Sequence, residues 1–465
     1  MSAPVRELTM TKAENDAMAV VRATVPAPPR PLASRNLRIL MLSWEYPPVV
    51  VGGLGRHVHA LARNLARAGH QVTVATRHAP GAPLDEIIEG VRVVRAPADP
   101  PAIPLDTPHL LAWTMAFNHA LTRAALHAAD TGEFDLVHAH DWLVTHTAIT
   151  MRDHLRVPLV ATVHATEAGR HQGWLPGDLN RAIHSVECWL GTEAERVLVC
   201  SKYMGREVDA LLGVSAAKTA VIPNGVDLPR WSPNRMDVAA ARSRYAGDGP
   251  LIGFAGRLVY EKGVQHLLHA VPELRRRHPG LRVVIAGDGP QRGELEATAG
   301  RLDLHHEVSF TGFVPARGLS STMASTDAMV VPSIYEPFGL VALEAAAAGA
   351  PLAVSETGGL AEIVEPGVTG LRFPVRDAEA LTESVSSLIS DREAARAMAD
   401  AARTMVRERY GWDDVAVATA GIYSSVVHKA KIKRPPNLWR SHDAPDREPV
   451  RIPEGNLLES AGLLP

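Results

Sequence analysis

The sequence predicts an α/β fold of two doubly wound, Rossmann-like domains with a cleft between them, and three observations carry that expectation. Short apolar runs alternate with helical patterns over most of the 465 residues. The runs are apolar throughout instead of alternating, as strands of a parallel sheet covered on both faces are. A polar stretch at residues 231–249, with Pro233 and Asn234, interrupts the series once before it resumes.

Length and composition agree. A chain of 465 residues is long enough for two or three domains, each with its own core. With 48 Lys+Arg against 51 Asp+Glu the formal net charge is −3, so no whole-protein field points to nucleic acid. Two cysteines, Cys188 and Cys200, make neither a disulfide framework nor a metal cluster, which suits a reducing cytoplasm. No run approaches the roughly 18 apolar residues of a membrane span, and Glu7, Glu14 and Asp16 stand where a signal peptide would be apolar. The expectation is a soluble cytoplasmic protein, at most peripheral to a membrane.

Taken in order, residues 1–36 have a proline-rich segment (Pro26-Ala27-Pro28-Pro29) and little periodicity, and read as a disordered leader. The first domain spans residues 37–230. Its first strand is Leu37-Arg38-Ile39-Leu40-Met41-Leu42-Ser43, followed by the loop Gly52-Gly53-Leu54-Gly55. Val58, Leu61, Ala62 and Leu65 then fall at helical spacing, and Gly69 is placed to end that helix left-handed. Further strands are expected at 91–95, 134–138, 157–163, 196–200 and 219–222. After a linker at 231–249, the second domain spans 249–410. It has strands expected at 251–255, 281–286, 308–311, 328–331 and 350–354, a short helix at 360–364 and two helices within 378–410. Residues 411–428 form one more helix in this reading, and 429–465, rich in proline, a mobile tail.

The candidate site residues lie where strands end. In doubly wound domains those ends face the cleft and hold ligands. Pro337 and Phe338 are expected to open an Ala-rich helix, with Glu336 before it and Glu344 inside it. A helix start offers free N–H groups and partial positive charge to an anion. Arg257 and Lys262 present two cations beside the start of another helix, and arginine can grip phosphate oxygens bidentately. Gly53 allows close approach of backbone to a ligand; a plain tight turn is the alternative. Asp141, Trp142 and His164 are polar groups at cleft-facing ends, although a lone histidine is as readily structural. Ser355-Glu356-Thr357-Gly358-Gly359 with Glu362 repeats the pattern of strand, glycine turn and helix start. No D-x-D, H-E-x-x-H or clustered His/Cys set appears in the sequence, so no metal site is expected.

Together Gly52-Gly53, His164, Pro223-Asn224-Gly225-Val226-Asp227, Gly256-Arg257-Leu258 with Glu261-Lys262-Gly263, the stretch from Glu336 to Glu344, and Gly358-Gly359 with Glu362 resemble the retaining glycosyltransferases of family 4, with the GT-B fold. The resemblance covers residues 37–427. Ser43-Trp44-Glu45-Tyr46-Pro47-Pro48 and Val51-Gly52-Gly53-Leu54-Gly55 most resemble the actinobacterial glycogen-synthase-like α-1,4-glucan glucosyltransferases. Starch-synthase-type relatives carry a lysine two residues before the paired glycines, where this chain has Val50.

The resemblance implies that Arg257 and Lys262 hold the donor diphosphate, and that Glu336 contacts the donor sugar hydroxyls. It puts phosphate at the helix start of Phe338, Gly339 and Leu340, ribose on Glu344, and the donor sugar beside His164. Gly53, Asn224, Gly358 and Glu362 line the donor site, and the last helix returns to the first domain. The implied function is retaining transfer of glucose from ADP-glucose or UDP-glucose to the nonreducing end of an α-1,4-glucan, with no cofactor and no metal required. Two alternatives are a maltose-1-phosphate synthase using glucose 1-phosphate, and a peripheral-membrane enzyme acting on a lipid. The second would use Arg56, Arg63 and Arg67 as its membrane face, a group that reads more simply as the solvated side of an amphipathic helix.

Overall fold

The computed structural model describes residues 36–433 except Pro101, so the expectations for the leader at 1–35 and for 434–465 lie outside the described residues. Contacts group the described residues up to Val427 into one unit, and that unit holds both sheets.

The first domain comprises β1 (Arg38–Ser43), α1 (Gly53–Arg67), β2 (Gln71–Thr76), β3 (Asp85–Ile88), β4 (Val91–Arg95), α2 (Leu110–Asp130), β5 (Leu136–His140), α3 (Thr145–Leu155), β6 (Leu159–Val163), α4 (Glu167–Arg170), α5 (Asp178–Glu193), β7 (Arg196–Val199), α6 (Lys202–Leu212) and β8 (Thr219–Val221). After α7 (Arg235–Tyr245), the second domain comprises β9 (Leu251–Ala255), α8 (Val264–Arg277), β10 (Arg282–Ala286), α9 (Arg292–Arg301), β11 (Val308–Gly312), α10 (Ala316–Ala324), β12 (Ala328–Val331), α11 (Leu340–Ala348), β13 (Leu352–Ser355), α12 (Leu360–Ile363), β14 (Leu371–Phe373), α13 (Ala378–Ser390) and α14 (Arg392–Arg409). The chain then ends its described part in α15 (Trp412–Lys433).

The strand order of the first sheet is β3-β4-β2-β1-β5-β6-β7-β8, and that of the second is β11-β10-β9-β12-β13-β14. Pairing is parallel throughout except at the edge, where β3 runs antiparallel to β4. Both sheets are doubly wound. The order reverses between β1 and β5 in the first and between β9 and β12 in the second, and such switch points open a crevice at the strands' C-terminal ends.

Helix α1 follows its sequence pattern: Val58, Leu61, Ala62 and Leu65 are fully buried, and Gly69 has φ 96°, the left-handed conformation that ends the helix. Helix α15 returns to the first domain, burying Val415, Ala416, Tyr423 and Val426 in the core of β1, β2 and β4. The Tyr423 hydroxyl lies 2.7 Å from His138 Nδ1 on β5, and His138 Nε2 lies 2.7 Å from Thr162 Oγ1. The chain thus crosses between domains twice, and the crossings touch: Val226 N donates to the Tyr410 carbonyl at 2.8 Å.

Three expectations need correction and one gains detail. The polar stretch at 231–249, expected as the interdomain linker, contains a helix, α7. None of its residues is buried, so it has no apolar stripe to reveal it; it is held by the Asn234 cap on Asp237 N (2.9 Å) and by Arg242–Asp327 (2.6 Å). The strand expected at 134–138 lies at Leu136–His140, because two histidines with internal partners continue it. The helix expected to open at Pro337 opens at Leu340, since Gly339 takes φ 110°. Finally, α15 runs to Lys433, five residues into the expected tail at 429–465.

Among the described residues no helix is long and apolar enough to cross a membrane. The arginines considered as a membrane face have partners within the chain. Arg56 pairs with Glu344, Arg63 lies 3.5 Å from Asp227 and 3.6 Å from Glu89, and Arg67 donates to Asn64 Oδ1 at 3.2 Å.

Candidate active site

Both switch points open onto one cleft, and its two walls are in contact. On the first-domain wall, β1 leads into Glu45, whose buried carboxylate accepts from Val51 N (2.8 Å) and Gly52 N (2.9 Å). That acceptor folds the glycine loop back over the strand end, a role the sequence did not reveal. Gly53 then starts α1 directly against the second domain, where a Cβ on it would lie 3.0 Å from Leu340 Cδ1. Close approach of backbone to the facing wall is what glycine permits here.

At the end of β5, Asp141 adopts φ 62°, which is uncommon for a residue other than glycine. Strained backbone at a strand end in a cleft is a frequent mark of function. The Asp141 carboxylate accepts from His164 N at 2.7 Å, and burial raises its pKa to about 7. His164 follows β6, with Nε2 3.2 Å from His140 Nδ1. The His57 ring centroid is 4.8 Å from that of His164. Burial pushes the pKa of His164 down to about 4 and those of His57, His138 and His140 well below the ordinary imidazole value. The four imidazoles are therefore neutral at physiological pH. The sequence shows no clustered His/Cys motif, yet the fold gathers residues 57, 138, 140 and 164, because β5 and β6 are neighbours and the start of α1 brings His57 to their ends. Asn224 is buried nearby, between β8 and the first crossing.

On the second-domain wall, the loop after β9 carries Arg257 and Lys262. Arg257 is exposed, and its guanidinium has no ion pair or hydrogen bond among the described residues. Lys262 Nζ pairs with Glu336 Oε2 at 2.7 Å, and Ser333 Oγ donates to the same oxygen at 3.2 Å. The two were expected as separate contacts to a ligand; here they are each other's partners. Phe338 is buried and packs near Tyr410, while Gly339 turns the chain so that α11 starts at Leu340 with its first N–H groups free of intrahelical partners. Gly358 takes φ 50°, and a Cβ there would stand 1.9 Å from the Glu336 carbonyl oxygen. Gly359 N donates to that oxygen at 2.9 Å, so the second glycine pair fixes the backbone around Glu336.

Two expected ligand contacts instead join the walls. Glu344, only 5% exposed, accepts from Arg56 Nη1 at 2.5 Å. Burial raises its pKa, and the guanidinium opposes that rise. Glu362 accepts from Lys202 N (3.0 Å) and Tyr203 N (2.7 Å), capping the start of α6 with negative charge at a helix N-terminus. Beside them Tyr335 OH donates to Glu207 Oε1 (2.7 Å) and accepts from Thr166 N (3.3 Å), and Ser201 Oγ donates to the Pro337 carbonyl (2.7 Å). The arrangement can take an elongated anionic ligand: a free cation and a helix start on one side, neutral imidazoles and a carboxyl on the other.

Comparison with known proteins points the same way. Residues 51–230 match the family model "Glycosyltransferase Family 4" and residues 238–405 match "Glycosyl transferases group 1". The chain is 44% identical over 422 residues to a glycogen synthase of Mycobacterium tuberculosis, covering 88% of this chain and 100% of the relative. It is 30% identical over 418 residues to a D-inositol 3-phosphate glycosyltransferase of Xylanimonas cellulosilytica, covering 85% and 98%. Among solved structures, sucrose-phosphate synthase from Thermosynechococcus elongatus superposes with a TM-score of 0.74 at 27% identity, covering 85% of this chain and 100% of that one. The chain belongs to glycosyltransferase family 4, with the GT-B fold, and is a nucleotide-sugar-dependent hexosyltransferase.

Proposed function

We propose that this chain transfers glucose from ADP-glucose or UDP-glucose to the nonreducing end of an α-1,4-glucan, with retention at the anomeric carbon and with no metal required. The observation that supports the reading most directly is the exposed Arg257, which has no ion pair or hydrogen bond among the described residues and lies in the loop after β9, on the same domain wall as the helix start at Leu340. That is a site for a diphosphate without a built-in counter-ion. The 44% identity to a mycobacterial glycogen synthase supports glucose and glucan as the sugars. The two free cysteines suit a cytoplasmic setting.

In this reading Arg257 grips the diphosphate, Lys262 adds a second charge as Glu336 turns to the sugar hydroxyls, and the Gly339–Leu340 backbone donates to a phosphate oxygen. Charge developing on the leaving nucleotide is then met by groups already in place, which is the efficient form of electrostatic stabilisation. Neutral His164 offers a hydrogen bond beside the anomeric carbon without repelling an oxocarbenium-like sugar. Retention by double displacement would need a carboxylate against that carbon. Asp141 is held by His164 N, and no other acid is assigned the task, so we favour transfer from the face of the departing nucleotide. Contacts between the walls exclude water and limit hydrolysis of the donor.

A phosphosugar acceptor is the second reading, supported by the identity to D-inositol 3-phosphate glycosyltransferases. A donor-by-acceptor panel decides between them: ADP-glucose and UDP-glucose, each with glycogen, maltooligosaccharide, glucose 1-phosphate and inositol phosphate, followed by linkage analysis of the product. Elongation of the glucan supports the first reading. Turnover with phosphosugars and none with glucan overturns it.

A further inference from the structure

His57 on α1, His140 at the end of β5 and His164 after β6 each offer a ring nitrogen, and the three atoms lie within 4.8 Å of one another. Two of them, His140 Nδ1 and His164 Nε2, are 3.2 Å apart. Nitrogens on a tetrahedral metal with bonds of about 2.0–2.1 Å stand about 3.3 Å apart, so that edge of the coordination figure already exists. His57 is 6% exposed, with the Asn224 side chain beside it but no well-formed hydrogen bond to either ring nitrogen; His140 Nε2 likewise has none. A buried imidazole without a well-formed hydrogen bond is costly unless something fills its lone pair.

The surroundings brace the set. The His138 ring lies 4.1 Å from that of His140, with both of its nitrogens engaged by Tyr423 and Thr162, and the Trp412 ring lies 5.4 Å from that of His57. The side toward His164, which is only partly buried, faces the cleft. Three imidazoles with one open position suit zinc, and imidazole also suits nickel and copper.

We propose that His57, His140 and His164 form a three-histidine site for a zinc-class divalent cation, and that its occupation takes His164 from the donor sugar and so inhibits transfer. Neutral rings, as burial makes these, bind a metal without first releasing a proton. The inhibitory half rests on the placement of His164 at the donor; the site itself does not.

The test uses the full chain, freed of metal by chelation and titrated with ZnCl2 by calorimetry, and separately loaded with cobalt(II). One zinc equivalent per chain is expected, with the intense visible bands of four-coordinate cobalt. His57→Ala and His140→Ala should each weaken binding at least about tenfold. His119→Ala, at an exposed histidine, should bind as the parent does. The cobalt spectrum needs no variant, so it stands if the alanine proteins fail to fold. The pale spectrum of six-coordinate cobalt, or unchanged zinc affinity in folded His57→Ala and His140→Ala, overturns the site. A loaded site with unchanged nucleotide-sugar turnover overturns the inhibitory half, and with it the donor role of His164.

Discussion

Replacing Arg257 separates chemistry from folding more cleanly than any other change in the cleft. The side chain is exposed and makes no ion pair or hydrogen bond among the described residues, so its loss removes nothing from the folded state. Surface substitutions of that kind stay within about 0.5 kcal/mol, here a Tm change under about 2 °C. If the guanidinium holds the diphosphate in the transition state, the loss is of another order: one preorganised donor at developing negative charge is worth about 10²–10³ in kcat, or about 2.7–4 kcal/mol. Arg257→Ala should therefore melt with the parent and turn over at least about a hundredfold more slowly, measured by nucleotide release alongside differential scanning fluorimetry. Arg257→Lys should fall between, keeping the charge but not the bidentate fork. Lys262→Ala supplies the contrast. It leaves Glu336 without its cation, so turnover and stability should fall together, the latter by about 1 kcal/mol for a partly exposed pair. An Arg257→Ala protein with turnover within a factor of about two of the parent would remove the main support for the donor site.

Three further outcomes follow from the geometry. Gly358→Ala forces a Cβ against the Glu336 carbonyl at φ 50°, so the loop must move; a loss of about 2 kcal/mol is expected in chemical denaturation, and an unchanged midpoint contradicts the geometry. Glu362→Ala takes two acceptor bonds from the start of α6 and should cost about 1–2 kcal/mol by the same assay, whereas no loss would mean that the contact between the walls does not persist in solution. Glu187 should make stability pH-dependent. Burial raises its pKa from 4.5 to about 8, beside Glu167, Asp141, Arg170 and His184, so the folded state holds the proton more tightly than the unfolded chain. Its contribution is full below about pH 4.5 and is lost as pH rises through about 8, with an upper bound of about 5 kcal/mol. Glu187→Gln should flatten the fall in Tm across that window; parallel curves would rule out the residue as its cause.

The sequence was most legible where one local pattern dictates one local structure. Fully apolar strands, a four-residue helical stripe in α1 and glycines at strand ends were enough for two doubly wound sheets and for the loops that face the cleft. It was least legible where partners come from far away. Helix α7 has no buried face, so nothing in its periodicity announces it. Strand β5 ends two residues later than its apolar run because His138 is satisfied by Thr162 and Tyr423, the latter 285 positions on. The same distance hid the histidine cluster: each residue taken alone looks like a lone polar group, and only the β1-β5-β6 order gathers them. The acids were found but not their partners. Spacing marks Glu336 before a helix, Glu344 inside it and Glu362 at the start of another, yet says nothing of Lys262, Arg56 or the α6 backbone that each one meets.

Those partners bear on how the cleft works. Glu344 cannot hold a ribose with the oxygen that accepts from Arg56 unless the guanidinium yields, because a buried carboxylate left with neither is several kcal/mol less stable than one with a partner. Arg56 is more than a third exposed, so it can swing into water while the carboxylate keeps its place on α11. If ribose binds at Glu344, its hydroxyls would replace the guanidinium, so that Arg56 and the donor exchange at one carboxylate. Glu362 has no such mobile partner. Its acceptor bonds run to backbone N–H groups that α6 fixes in position, so it joins the walls without relying on a mobile side chain.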